Sequence, residues 1–132
     1  MILKSTDPYG FHFVNDWAAA VSSGNIESVL GLYEPEAVLV PTFSENPVRG
    51  SEVIKAYFEA LYEERPNLAV DVLEGEVNQN LGDYRALSGR YRFTWGTNLE
   101  DMVKVDARYT FVIETVDGAW LIKTHHSSQN PS

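Results

Sequence analysis

Two arginines, Arg92 and Arg108, stand inside runs of aromatic and β-branched residues. Guanidinium forks in such a setting can grip a carboxylate through paired hydrogen bonds, so the two together read as an anion site. They can equally lie on a solvated sheet face, or pair internally with Glu114 or Asp106. Two neighbouring histidines, His125 and His126, follow near the end of the chain. Adjacent strand residues point to opposite faces, so this pair cannot share a metal ion. No HxH or HExxH spacing and no cysteine is present, which leaves no metal-ligand pattern. His126 shares its parity with Trp120, Ile122 and Thr124, which predicts a buried face. It reads as a pocket hydrogen-bonder or acid–base group, or as a structural histidine tied to a backbone carbonyl. His12 reads as an ordinary helix residue. Proton abstraction would need a carboxylate in an apolar pocket and a phenol to stabilise the oxyanion. Asp16, Asp71 and Glu114 are the available carboxylates, and Tyr33, Tyr57 and Tyr62 the phenols. Asp16, beside Trp17, and His126 are the catalytic candidates. Phosphate-loop, GxGxxG and GxSxG patterns are absent, so no cofactor is expected.

The parity of the arginine-bearing strands contains a conflict. Tyr91, Phe93, Trp95, Tyr109, Phe111 and Ile113 share the parity opposite to Arg92 and Arg108. Simple amphipathicity would bury those aromatics and expose the arginines. If a second copy covered the aromatic face, both faces would be buried and the arginines could line a pocket. In that reading Trp17 and Phe58 are preferred wall residues, with Tyr62, Thr110 and Thr124 as further ligand contacts. Phe11, Trp17, Tyr33, Phe58 and Tyr62 can also simply pack helices onto a sheet.

The 132 residues suffice for one domain with one core. Hydrophobic residues make up 44 % and charged residues 22 %, which argues against disorder. Ten Lys+Arg against nineteen Asp+Glu give a formal charge of −9, which repels nucleic-acid backbones and anionic membranes. No apolar run reaches membrane-spanning length, and residues 1–8 lack the apolar stretch of a signal peptide. The default expectation is a cytoplasmic protein of bacterial type.

The positions above need elements to hold them. Apolar residues Phe11, Val14, Trp17, Ala18 and Val21 predict a helix over 9–21, stopped at Gly24. Asn25 can cap a second helix over 26–33, ended by Pro35. Residues 37–40 form a short strand and 41–47 a loop. A third helix starts at Gly50-Ser51-Glu52 with Ser51 as its N-cap, and stops at Arg65-Pro66. Four strands follow, over 68–78, 84–95, 102–116 and 119–126, with a hairpin signal at Asp117-Gly118. Residues 127–132 are a polar tail, and the core spans about 10–126 of a single domain, 1–132. Helices first and strands afterwards indicate an α+β class. A cone of curved, mainly antiparallel sheet around three N-terminal helices fits this order.

Four strings carry a resemblance: Ala20-Val21-Ser22-Ser23-Gly24-Asn25-Ile26-Glu27-Ser28; Val48-Arg49-Gly50 before a helix with Tyr57-Phe58; Arg108-Tyr109-Thr110-Phe111-Val112; and Asp117-Gly118-Ala119-Trp120 followed by His125-His126-Ser127-Ser128 and Pro131. With their order and spacing, the chain resembles the nuclear transport factor 2-like superfamily, which includes ketosteroid isomerase, scytalone dehydratase and SnoaL-like cyclases. Within it the chain is most similar to the association domain of calcium/calmodulin-dependent protein kinase II and its bacterial stand-alone relatives. The resemblance covers about residues 10–131. It implies the cone fold, strand arginines inside the cone, a final-strand histidine at His126, and self-association as a dimer or larger ring. One departure is Ser127, where the kinase domain has an arginine. No kinase domain or basic calmodulin-binding helix is present, so neither activity is implied. The resulting expectation is an oligomerising domain that binds a small anionic, carboxylate-bearing molecule through Arg92, Arg108 and His126. A cofactor-independent isomerase, cyclase or dehydratase, and a purely structural assembly module, are the alternatives.

Overall fold

The computed structural model describes residues 7–131. Its elements are α1 (Phe13–Ser23), α2 (Ile26–Leu30), β1 (Tyr33–Val40), β2 (Val48–Arg49), α3 (Ser51–Glu64), β3 (Ala69–Val72), β4 (Val77–Leu81), β5 (Tyr84–Trp95), β6 (Val103–Val116) and β7 (Ala119–Gln129), with a single 3-10 turn at Leu99–Asp101. The strands form one seven-stranded sheet in the order β2-β1-β7-β6-β5-β3, and β4 pairs with another stretch of β5. All pairings are antiparallel except β1 with β7.

α1 begins later than its apolar pattern predicts. Gly10 takes a left-handed φ of 71°, and the Asp7 carboxylate accepts the Phe11 and His12 amides at 2.9 and 2.7 Å. The turn leaves Phe11 exposed and puts Phe13 on the buried face with Val14, Trp17, Ala18 and Val21. Gly24, at φ 73°, ends the helix, and the Asn25 side chain caps α2 through the Ser28 amide. Pro35 does not terminate a helix. It lies inside β1, where the pairing with β7 breaks between Tyr33 and Val38. A residue without an N–H is tolerated at such an irregularity. The N-cap of α3 is Gly50, not Ser51, and its φ of 91° suits glycine.

Five strands follow α3, because the stretch expected over 68–78 divides into β3 and β4. At the β6–β7 turn, Asp117 and Gly118 both have positive φ, 52° and 86°, as a two-residue hairpin requires. β7 runs on to Gln129, so Ser127 belongs to the sheet and is buried, not part of a polar tail. The helices pack on one face of the sheet. Trp17 stacks on Tyr91 at 5.2 Å and meets Phe111 edge-on, while Phe58 meets Tyr33. The described part is α+β, with one core between sheet and helices.

Candidate functional site

A small cavity lies between α1, α3 and the inner face of the sheet. Trp17, Leu39, Tyr57, Phe58, Leu61, Tyr91, Phe93, His125 and Ser127 line it, with Pro41 and Thr42 from the loop after β1. Its volume of about 10 Å³ is room for a single water molecule. Trp17 and Phe58, the preferred wall residues of the sequence reading, are among the side chains that border it. Tyr62 stands behind the wall, its hydroxyl donating to the Val21 carbonyl at 2.6 Å.

At the centre is His125, 2 % exposed. Its ring stacks on Phe111 at 3.9 Å and meets Trp17 edge-on. The Tyr33 hydroxyl is 3.0 Å from Nδ1 and the Tyr91 hydroxyl 3.0 Å from Nε2. Donor counting fixes the protons. The Trp17 indole can only donate, and does so to the Tyr33 oxygen at 3.0 Å. The Tyr33 proton therefore goes to His125 Nδ1. Tyr91 donates to Ser127 at 2.6 Å, so its oxygen accepts from His125 Nε2–H. Ser127 in turn pairs with the Thr42 hydroxyl. A directed chain thus runs Trp17, Tyr33, His125, Tyr91, Ser127, and Ser127 is bonded to Thr42.

Desolvation, then the neighbouring His126, holds the His125 pKa down to about 3, so the ring is neutral. Burial raises the pKa of Tyr33 and Tyr91, and pushes Tyr57 up to about 12. The cavity wall contains no carboxylate. Both imidazole nitrogens are occupied and the phenols keep their protons, so this interior is a satisfied polar network with no poised base.

The other sequence-predicted residues lie elsewhere. Arg92 and Arg108 are on the outer face of the sheet and do not enter the cavity, which corrects the expectation that they line it. Arg92 grips Asp106 through two bonds, 2.6 and 3.1 Å, directly across the β5–β6 ladder. This is the internal pairing weighed above. Arg108 is exposed and reaches the Ser128 hydroxyl at 3.5 Å. Period-2 parity placed both correctly outside; the assumed cover over the aromatic face was unnecessary because the helices already supply it. His126, Thr110 and Thr124 also face outward. The histidine assignment fails for a definite reason. The β6–β7 register shifts between Val112 and Ile113, leaving Lys123 unpaired. Parity inverts at this bulge, so Ile122 and His125 are buried while His126 is exposed. Asp16 is exposed on α1. Neither catalytic candidate is in the cavity. Among the described residues no group of three acidic or histidine side chains is placed to hold a metal, and no helix is long and apolar enough to cross a membrane.

The profile of the calcium/calmodulin-dependent protein kinase II association domain matches residues 11–131. The chain belongs to that association-domain family. Its fold is shared with a candidate association domain of this kind from Xanthomonas campestris, at 35 % identity and a TM-score of 0.81 over 92 % of this chain and 85 % of the other. A candidate NTF2-like dehydratase from Streptomyces avermitilis aligns over 90 % of this chain and 92 % of its own, at 13 % identity and a TM-score of 0.79. A candidate scytalone dehydratase from Novosphingobium aromaticivorans aligns over 91 % and 80 %, at 11 % identity and a TM-score of 0.79. The latter two show a common fold alone. No curated protein matches significantly. The family supports the expected cystatin-like, NTF2-like α+β class of this association domain.

Sequence reasoning missed His125, Tyr91 and Ser127 as the polar centre. The inward parity of His125 and Ser127 becomes readable only once the bulge at Lys123 is known, whereas that of Tyr91 follows from its own strand.

Proposed function

We propose that this association-domain chain is a self-associating module whose outer sheet face meets a second copy. The observation that carries this reading is the one-sided cover of the sheet. The helices pack on the inner face, and among the described residues the outer face of β5, β6 and β7 has no element over it. That face, continued onto β1 by Val38, mixes half-buried apolar groups such as Val112 with Ser88, Thr94, Thr110, Thr124 and the Arg92–Asp106 pair. Such a mixture is the composition of an interface rather than of a core. The name of the family and of its Xanthomonas campestris relative supports the same role.

A cofactor-free isomerase or dehydratase is less well supported. Its general base would have to come from a wall that holds neutral His125 and no carboxylate.

Sedimentation velocity with native mass spectrometry tests the proposal. Purified protein is expected as a dimer or larger closed assembly at micromolar concentration. Val112→Asp, which places a charge on the outer face, is expected to shift it toward monomer by at least about tenfold in dissociation constant. A wild-type monomer at micromolar concentration would overturn the reading.

A further inference from the structure

Six outward side chains form a grid of two rows on β5, β6 and β7. In one row Arg90 is opposite Arg108, and Arg108 opposite Ser128. In the next, Ser88 is opposite Thr110, and Thr110 opposite His126. Residues two apart on a strand share a face, so the rows are about 7 Å apart and the columns about 4.8 Å. Every one of the six carries an N–H or O–H donor and none a carboxylate.

The two arginines are the unusual feature. Like charges directly opposite on neighbouring strands destabilise a sheet. Neither Arg90 nor Arg108 has an ion pair among the described residues. Their contacts are long: Arg90 to the Glu74 carbonyl at 3.4 Å and Arg108 to Ser128 at 3.5 Å. Asp106, two residues along β6, is gripped by Arg92, and the charges of Arg90 and Lys104 act on it only from a distance, without an ion pair. Lys104 adds a further cation on the same face of β6. Ser88 and Thr110 are bonded to each other at 3.1 Å, which fixes two hydroxyls beside the arginines. This concentration of cations occurs in a chain of net charge −9.

We propose that the grid is an oxyanion site that takes a phosphate-type dianion between Arg90 and Arg108, with the Ser128 and Thr110 hydroxyls and His126 at its edge. A dianion there turns the repulsion between the two guanidiniums into two charge-assisted contacts. The site is independent of the interior cavity; it lies on the face assigned above to self-association, so in an assembly built on that reading the anion would sit between the two copies.

The test is a titration with inorganic phosphate at constant ionic strength, read by calorimetry and melting temperature, with native mass spectra of the same samples. Saturable binding and a rise in melting temperature are expected with phosphate and not with chloride. Arg90→Gln and Arg108→Gln should each weaken binding by at least about tenfold. In phosphate-free buffer each should melt at or above the wild-type temperature, because the repelling pair is gone. Lys123→Gln, elsewhere on β7, should leave the phosphate response unchanged. Absence of saturable binding, or a response in both arginine variants undiminished from wild type, would overturn the site. A phosphate response from a monomer would keep the site and remove the self-association reading; an oligomer without the response would do the reverse.

Discussion

The Trp17 indole donates to the Tyr33 hydroxyl at 3.0 Å, and that bond sets the proton positions of the interior. Among the described residues His125 Nδ1 is the acceptor the structure gives for the Tyr33 proton, so Tyr33 donates there. The expected His125 tautomer therefore carries its proton on Nε2, which long-range ¹⁵N–¹H correlation spectra report directly. Trp17→Phe keeps a ring in place and removes the donor. It is expected to cost about 1–3 kcal/mol in chemical denaturation, as a buried polar group loses its partner. A His125 protonated on Nδ1 in the wild type would contradict the directed chain.

His125 also predicts a pH dependence. Its pKa falls from 6.5 to about 3 on folding because burial disfavours the imidazolium. Between these values the unfolded chain binds a proton that the folded chain does not. Stability then rises with pH, so this contribution is complete above about 6.5 and is lost as pH falls toward 3. Over the whole window it amounts to about 4–5 kcal/mol. In the folded protein, His125 ring shifts should stay constant from pH 7 to pH 4.5, and denaturation midpoints should fall over the same range. His125→Gln should flatten that slope even where it lowers overall stability. A His125 resonance titrating near pH 6 would show that the ring is not sealed.

Most elements are legible in the sequence because their signals are local. The helical stripe around Trp17, the Asn25 cap and the Asp117-Gly118 hairpin each follow from a few residues and appear as read. The site is less legible because it depends on one non-local event. The extra residue at Lys123 inverts the faces of β7, and nothing in 119–129 announces it. Pro35 misled for a related reason. A proline ends a helix or sits at a strand irregularity, and only the pairing partner β7 decides which. For Arg92, the decisive fact is its cross-strand register with Asp106, which requires the β5–β6 alignment.

The bulge residue Lys123 also serves a carboxylate pair. Its ammonium is 3.4 Å from Glu114 and 4.0 Å from Glu34. Desolvation, a hydrogen bond to Glu114 and that residue's charge raise the Glu34 pKa, whereas Lys123 lowers it. The Glu114 pKa is lowered, first by its interaction with Glu34, so of the two Glu34 takes up a proton at the higher pH. A folded pKa raised above the unfolded one stabilises at low pH and loses that contribution as pH rises through the folded value. Glu34→Gln retains a donor and removes the charge. It is expected to raise the melting temperature at pH 8 and change it little at pH 4. A variant less stable than wild type at pH 8 would show that the charged form is the favoured one.

Gly89 faces Tyr109 across the β5–β6 ladder, and the tyrosine ring lies over it to reach Glu76 at 2.7 Å. A Cβ at position 89 would fall 2.6 Å from the Tyr109 hydroxyl and 2.8 Å from the ring carbon that bears it. Real contacts of that kind do not come so close, so Gly89→Ala must displace the ring. The displacement breaks the bond to Glu76 and disturbs the packing of Tyr109 against Tyr91 at 4.9 Å. Overpacking of this type costs about 1–3 kcal/mol, which a urea titration resolves. The position itself asks for no left-handed backbone, so strain in φ is not the cause. A double-mutant cycle separates the two explanations. In a Tyr109→Leu background the clash is gone, and adding Gly89→Ala should cost nothing or stabilise slightly through the entropy of the unfolded chain. An equal cost in both backgrounds would place the requirement for glycine in the strand backbone and not in the crossing ring.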